Sequence, residues 1–272
     1  MSVSPALFLY LLKNRQNCFM ILKIVFAETV VIDRMIPYKT EDGAMRFRHE
    51  LKYLVTDADL AMLKSRLMGV MVSDPHAGDT GCYRIRSLYF DDIYNSAYLE
   101  NENGTGRREK FRIRIYNGSM DRISLERKSK VYDKIRKVAC IISRDEYEVL
   151  TDPMADKTIK DEYPELMKLV LSKYHSERLS PKVIVEYERR PYVYRAGNVR
   201  VTFDMNVTSS NDLKSFSQPR IFGRPVMPVG AQLLEVKYDE FLPDHIYRSI
   251  AAPGLALTTY SKYYLCRKYT DR

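Results

Sequence analysis

The run Phe111-Arg112-Ile113-Arg114-Ile115-Tyr116 alternates strictly, with both arginines on one side and Phe111, Ile113 and Ile115 on the other. Period two is the signature of a β-strand with two unlike faces. The arrangement recurs. Arg48, Glu50 and Lys52 share a face in 45–55, Glu126, Lys128 and Lys130 in 123–130, Lys134 and Arg136 in the run after it, Arg200 and Asp204 in 198–207, and Glu235 and Lys237 in 232–239. A chain built this way owns a sheet with one apolar face and one charged face. Exposed strand faces ordinarily carry mixed polar residues rather than repeated Arg and Lys pairs. Curling the sheet into a closed or nearly closed barrel, charges inward and helices packed outside on the apolar face, satisfies both faces.

Helices punctuate these strands without βαβ regularity, so an antiparallel α+β fold is expected. Thr56-Asp57 offers an N-cap ahead of Leu60, Leu63 and Leu67, and Ser143-Arg144-Asp145-Glu146 reads as a capping box. Further helices are expected at about 160–174, at 243–252 and after Thr258 or Thr259. Asn117-Gly118 marks a hairpin turn. Residues 1–44 read as a leader, either a misassigned start ahead of Met35 or Met45 or a weak amphipathic anchor, and 45–272 as one domain. The apolar stretches 6–12 and 18–22 are interrupted by 13–17, which leaves no run of the roughly 20 residues that a spanning helix needs.

The 272 residues carry 44 Lys and Arg against 35 Asp and Glu, a formal +9. That charge fits an anionic partner but does not choose among nucleic acid, lipid and phosphorylated small molecules. Cys18, Cys82, Cys140 and Cys266 form no CxxC pair, and the four histidines have no metal-ligand spacing. This argues against a zinc site or a disulfide framework and fits a reducing cytoplasm. No Walker loop or glycine-rich nucleotide fingerprint is present, and aromatics are not set between basic residues as a single-strand stacking platform requires. Inside a barrel, Lys52, Arg112, Arg114, Lys128, Lys130, Lys134, Arg136, Arg200 and Lys237 could surround phosphate oxygens. Glu50, Glu126, Asp204 and Glu235 stand among them and offer oxygen ligands to Mg²⁺ or Mn²⁺.

On these residues the chain resembles the VTC domain, the polyphosphate polymerase branch of the triphosphate tunnel (CYTH-like) metalloenzymes. The likeness rests on Arg48-His-Glu-Leu-Lys52, Ser87-Leu-Tyr-Phe-Asp91, Arg112-Ile-Arg114, Leu125-Glu-Arg-Lys128, Glu186-Tyr-Glu-Arg189, Arg200 with Phe203-Asp204, Leu234-Glu-Val-Lys237 and Ser261-Lys-Tyr263. The resemblance implies a tunnel in which ATP donates its γ-phosphate to a growing polyphosphate chain with Mn²⁺ or Mg²⁺. It implies that Lys52, Arg112, Arg114, Lys128, Arg189, Arg200 and Lys262 hold phosphates, that Glu235 binds the metal, and that Glu50 and Asp204 bind metal or orient lysines. Lys130, Arg136 and Lys237 are further substrate contacts by their place on the charged face. It also implies a cytoplasmic protein beside an inner-membrane partner.

Two departures bear on function. Arg48 stands where hydrolase members begin a Glu-x-Glu-x-Lys signature, which favours the polymerase over an inorganic or nucleoside triphosphatase; a non-catalytic polyphosphate-binding module is the third reading. Alternation sets Arg189 with Val183, Val185 and Tyr187, away from Glu186, Glu188 and Arg190. Either the odd-numbered set faces inward, or a bulge intervenes, or Arg190 takes the role.

Overall fold

A computed structural model describes residues 35–39, 45–131 and 134–270. Strands β1 (Met35–Lys39) and β2 (Met45–Thr56) lead to helix α1 (Asp57–Met68), the short β3 (Val72–Ser73), β4 (Tyr83–Asp91) and α2 (Ser96–Glu102). Then come β5 (Arg107–Tyr116), β6 (Ser119–Val131), β7 (Lys134–Ile142), α3 (Arg144–Thr151), α4 (Glu165–Glu177), β8 (Ser180–Tyr194) and β9 (Val199–Ser210). The short β10 (Arg224–Pro225), β11 (Ala231–Tyr238), α5 (Asp244–Ile250) and α6 (Lys262–Thr270) complete the chain. β1 falls within the span set aside as a leader and pairs with β2. The remainder of that span, and the side chains of Arg48 and Lys134, lie outside the described residues.

All strand pairs are antiparallel, in the order β1-β2-β11-β9-β8-β4-β5-β6-β7, with β3 added to β8 and β10 to β9. The sheet curves strongly enough that its two edge strands, β1 and β7, come alongside each other. Among the described residues no ladder hydrogen bonds join those edges, so the tunnel is nearly closed. Local signals act where the sequence placed them. Thr56 and Ser143 each form a capping box, with Asp59 and Glu146 respectively. Asn117 and Gly118 both take positive φ, 54° and 74°, between β5 and β6, as the tight hairpin requires.

The apolar face of the sheet is covered in two patches. Leu63 and Leu67 of α1 and Ile246 and Ile250 of α5 pack on Val55, Val201, Phe203, Leu234 and Val236. On the other side, Leu150 of α3 and Leu166, Met167, Val170 and Leu171 of α4 pack on Leu88, Phe111, Ile113, Ile115 and Leu125. Both clusters are nearly solvent-free, so the apolar half of each alternating strand is fully absorbed. Helix α6 differs. Its Tyr263 and Cys266 pack against Val183, Val185 and Val207, and Val183 and Val185 share the face of Tyr187 and Arg189. α6 therefore closes over part of the inner side, where Tyr263 donates its hydroxyl hydrogen bond to buried Asp91.

Gly197 holds the turn between β8 and β9. Its φ is +69°, and a Cβ there would collide with the carbonyl oxygen of Phe241. Replacing it combines a left-handed backbone with a backbone clash. Gly197→Ala is predicted to destabilise the fold by about 2 kcal/mol or more, read as a lowered urea midpoint.

Candidate functional site

Strand register determines which charges meet. Across β5 and β6, Arg108 faces Lys130, Lys110 faces Lys128, Arg112 faces Glu126 and Arg114 faces Ser124. Across β2 and β11, Glu50 faces Lys237 and Lys52 faces Glu235. Directly paired residues in an antiparallel sheet project from the same face. All of these but Glu126 and Ser124 line a cavity of about 300 Å³, together with Tyr187 and Arg189 of β8 and Lys262 at the start of α6.

Of the residues expected to contact phosphate, Lys52, Arg112, Arg114, Lys128, Lys130, Arg189, Lys237 and Lys262 line this cavity. Two do not. Arg136 pairs with Ser129 rather than with a cationic row, and its side chain is exposed on the outer face. The register sets Lys137 opposite Lys128 instead, and its Nζ donates to Glu126 Oε1 at 2.8 Å. Arg200 lies opposite Lys237 but outside the cavity lining, with NH2 2.8 Å from Asp74 Oδ2 and 3.0 Å from the Tyr83 hydroxyl. Arg189 faces inward as the odd-numbered set requires, and β8 is bulged against β9 between Glu186 and Glu188. Arg190, the fallback, belongs to the opposite parity.

The cations are held by a few buried carboxylates. Glu126, 3% exposed, accepts from Arg112 Nε at 2.8 Å and Arg112 NH2 at 2.6 Å, with Lys137 on its other oxygen. Burial works against its ionisation, yet Arg112, Arg114 and Lys137 hold its carboxyl far below the usual range. Asp204 is fully buried and receives Arg189 through two bonds, 2.6 and 2.7 Å, with Lys262 Nζ at 2.5 Å. Both its oxygens are thus occupied by cations. Asp204 aligns Arg189 and Lys262 against the cavity wall.

Glu50 and Glu235 are disposed differently. Lys52 Nζ lies 3.0 Å from Glu50 and 3.6 Å from Glu235, with Lys128 3.7 Å from Glu50 and Lys237 3.2 Å from Glu235. Burial opposes ionisation at Glu235, but Lys237, a hydrogen bond with Glu50, Lys52 and Lys262 hold its carboxyl well below the ordinary value. The pair therefore offers hard oxygen donors side by side. Thr202, opposite Glu235 in β9, is buried with its Oγ1 lacking a partner among the described residues. No cluster of three or more His, Cys, Asp or Glu forms a metal cage among the described residues. Two carboxylates completed by substrate phosphate oxygens and water are a normal Mg²⁺ or Mn²⁺ arrangement, so the donor set fits such an ion.

A match to the VTC domain family extends over residues 47–270, nearly the whole described chain. The chain belongs to the VTC domain family. Comparison with curated protein sequences finds no match. Among solved structures, this VTC domain is similar to HpAC1 from Hippeastrum, a candidate adenylyl cyclase with a dominant triphosphatase activity. The two are 12% identical with a TM-score of 0.51, over 81% of this chain and 95% of that one. A candidate adenylate cyclase from Bacillus halodurans is 15% identical with a TM-score of 0.42, over 74% and 83% of the respective chains. The Hippeastrum likeness places the VTC domain in the curved antiparallel tunnel fold.

Alternation alone did not find Arg108, Lys110, Lys137 or the tyrosines of the wall. Arg108 and Lys110 continue the 112–114 parity and were legible in principle; Lys137 required the β6–β7 register. Tyr89 donates no charge but accepts from Arg112 NH1 at 2.8 Å, and Tyr187 stacks under Arg189 and Lys262.

Lys128 gives the cavity a pH dependence. Glu50 pulls its pKa up, but burial and the Lys52 and Lys237 charges outweigh this and bring it down to about 8 from the 10.5 of a free lysine. Anion binding should therefore weaken as pH rises through about 8, because the folded protein then loses a positive charge. Stability of the free protein runs the other way: between about 8 and 10.5 the unfolded chain binds more protons, so this group stabilises the fold as pH rises. Titrating triphosphate calorimetrically in metal-free buffer should show the affinity loss, and Lys128→Arg should flatten it.

Proposed function

We propose that this VTC domain is a metal-dependent polyphosphate polymerase that transfers the γ-phosphoryl group of ATP to a growing polyphosphate chain. The observation that carries the reading is one cavity lined both by eight expected cations and by the Glu50–Glu235 carboxylate pair. A site for one orthophosphate would not need so many. Family membership supports triphosphate or polyphosphate as the substrate class.

In this reading Arg112 and Arg114, presented from one strand, grip phosphate oxygens, and Glu126 keeps the Arg112 guanidinium oriented when no substrate is bound. Arg189 and Lys262, aligned by Asp204, hold the other side of the chain. The terminal oxygen of the acceptor chain attacks the γ-phosphorus in line, the bond from that phosphorus to the bridging β,γ oxygen breaks, and ADP leaves with the electron pair. Lys52, Lys128 and Lys237 offset the negative charge spread over the transferring oxygens. Glu50 and Glu235 would hold a divalent ion, Mn²⁺ or Mg²⁺, which would supply Lewis-acid neutralisation of the charge developing on the phosphoryl oxygens. Catalysis is then chiefly positioning and electrostatics, which a rigid strand scaffold supplies.

The second reading is triphosphate hydrolysis, favoured by the fold shared with the Hippeastrum protein of dominant triphosphatase activity. The two differ in the acceptor, a phosphate chain or water. Among the described residues no helix is long and apolar enough to cross a membrane. We place the domain in the cytoplasm, where a membrane partner would take the polymer.

Incubation with ATP and Mn²⁺, followed by electrophoresis of the products, is expected to give long-chain polyphosphate and ADP; orthophosphate without polymer selects the hydrolase. Glu235→Gln is expected to lower turnover by roughly a hundredfold or more while triphosphate binding in metal-free buffer persists. Loss of binding and turnover together would remove Glu235 from the metal role.

A further inference from the structure

Arg200 stands on the inner face of β9 and does not line the cavity, although Lys237, directly opposite on β11, does. β8 lies between β9 and β4, so the Arg200 side chain crosses over β8 to reach its partners. Its NH2 donates to the Tyr83 hydroxyl at 3.0 Å and lies 2.8 Å from Asp74 Oδ2. Tyr83 is in turn paired across the strands with Arg189, a lining residue. The guanidinium therefore stops beside the lining rather than on it.

What holds it is unlike the other inner counter-ions. Glu50, Glu126, Glu235 and Asp204 stand on barrel strands, and Lys52, Arg112, Lys237 and Arg189, which they pair with, stay on the lining. Asp74 comes instead from the turn between β3 and β4. That turn is fixed: Asp74 and Ala77 are 6% and 3% exposed, the Asp74 amide donates to Pro191 O at 3.1 Å, and the Cys82 amide to Ala77 O at 3.2 Å. Within the turn, Asp74 Oδ1 accepts from the His76 amide at 3.0 Å and pairs with His76 Nδ1 at 2.8 Å, while Oδ2 meets Arg200. Burial opposes ionisation of Asp74, but His76 and Arg200 hold its carboxyl below the usual value. Arg200 is the adaptable partner. Its side chain is 34% exposed, and its buried Nε has no partner among the described residues. A guanidinium presents five donors in a planar fork, which one carboxylate oxygen and a phenol satisfy only in part.

We propose that Asp74 is a built-in competitor for the substrate: its carboxylate occupies Arg200 in the free protein, and a phosphate chain takes the guanidinium from it to bring Arg200 onto the lining beside Lys237. The proposal rests on the phosphate-chain reading of the cavity and adds to it a residue that sets affinity from outside the barrel strands. Because binding exchanges one charge-assisted contact for another, the competing carboxylate lowers affinity by about tenfold.

Asp74→Asn separates the two oxygens of the carboxylate: the amide keeps an acceptor for the His76 turn and sets a donor where Oδ2 met Arg200. Calorimetric titration with inorganic triphosphate in metal-free buffer is expected to show affinity raised about tenfold in Asp74→Asn. Tyr83→Phe, which removes the second acceptor without a change of charge, is expected to raise it by about threefold. In an Arg200→Gln background both substitutions are expected to change affinity by less than about twofold. Unchanged or weakened binding in Asp74→Asn would make Asp74 a support for Arg200 and overturn the proposal. A gain that persists in the Arg200→Gln background would be only the field of a lost carboxylate and would overturn it as well. Should Asp74→Asn lack native circular dichroism, Tyr83→Phe with and without Arg200→Gln decides by the same comparison. Failure of wild-type protein to bind triphosphate would instead overturn the phosphate-chain reading on which the competitor stands.

Discussion

The structure depends on holding many like charges on the inside of a sheet. Isolated buried cations are prohibitively costly, and a barrel with arginines and lysines pointing inward would not form if each had to be desolvated alone. Four carboxylates make it possible. Glu126 and Asp204, 3% and 0% exposed, act as fixed counter-ions for the two walls, and Glu50 and Glu235 serve the lysines between them. These carboxylates hold the cations in place without cancelling them, because cations outnumber acids along the lining. The residual field is positive and points into a concave, partly desolvated space, where it acts more strongly on an anion than it would on an open surface.

The outer face follows from the same alternation. Each strand that turns Arg or Lys inward turns Ile, Leu, Val or Phe outward, and α1, α5, α3 and α4 cover that apolar surface in two patches. Two of the three apolar clusters thus lie on the outside of the barrel, and the third, under α6, fills only part of the inside, which leaves the rest available for chemistry. Helix α6 links the two layers. It is anchored by Tyr263 on Asp91 and by Arg267 NH2 on Asn95 Oδ1 at 2.9 Å, and it delivers Lys262 to Asp204.

Much of this was legible from period two alone. Arg112 and Arg114, Lys128, Lys52, Glu235 and Lys237 share a cavity because alternation within a strand fixes a face. What alternation cannot supply is registry between strands. Arg136 and Lys137 are adjacent, and only the pairing of Lys137 with Lys128 decides which one meets Glu126. Arg200 has the right face and lies opposite Lys237, but its guanidinium is held by Asp74 from a turn that no local pattern connects to β9. Arg189 posed the inverse problem, since the same stretch carried Glu186 and Glu188 on the opposite parity. The structure pairs Glu186 with Arg86 outside the cavity, at 2.6 Å, and leaves Arg189 inside. Lys262 could be assigned only through likeness to a family, because its helix reaches the cavity from the far end of the chain.

The central claim is that the paired arginines of β5 bind phosphate. Calorimetric titration of inorganic triphosphate into wild-type protein and into an Arg112→Gln, Arg114→Gln double variant, both in metal-free buffer and both checked for native circular dichroism, tests it directly. The account predicts a loss of affinity of about a hundredfold or more, as expected for removing two charge-assisted contacts. Unchanged affinity in a folded double variant would contradict it.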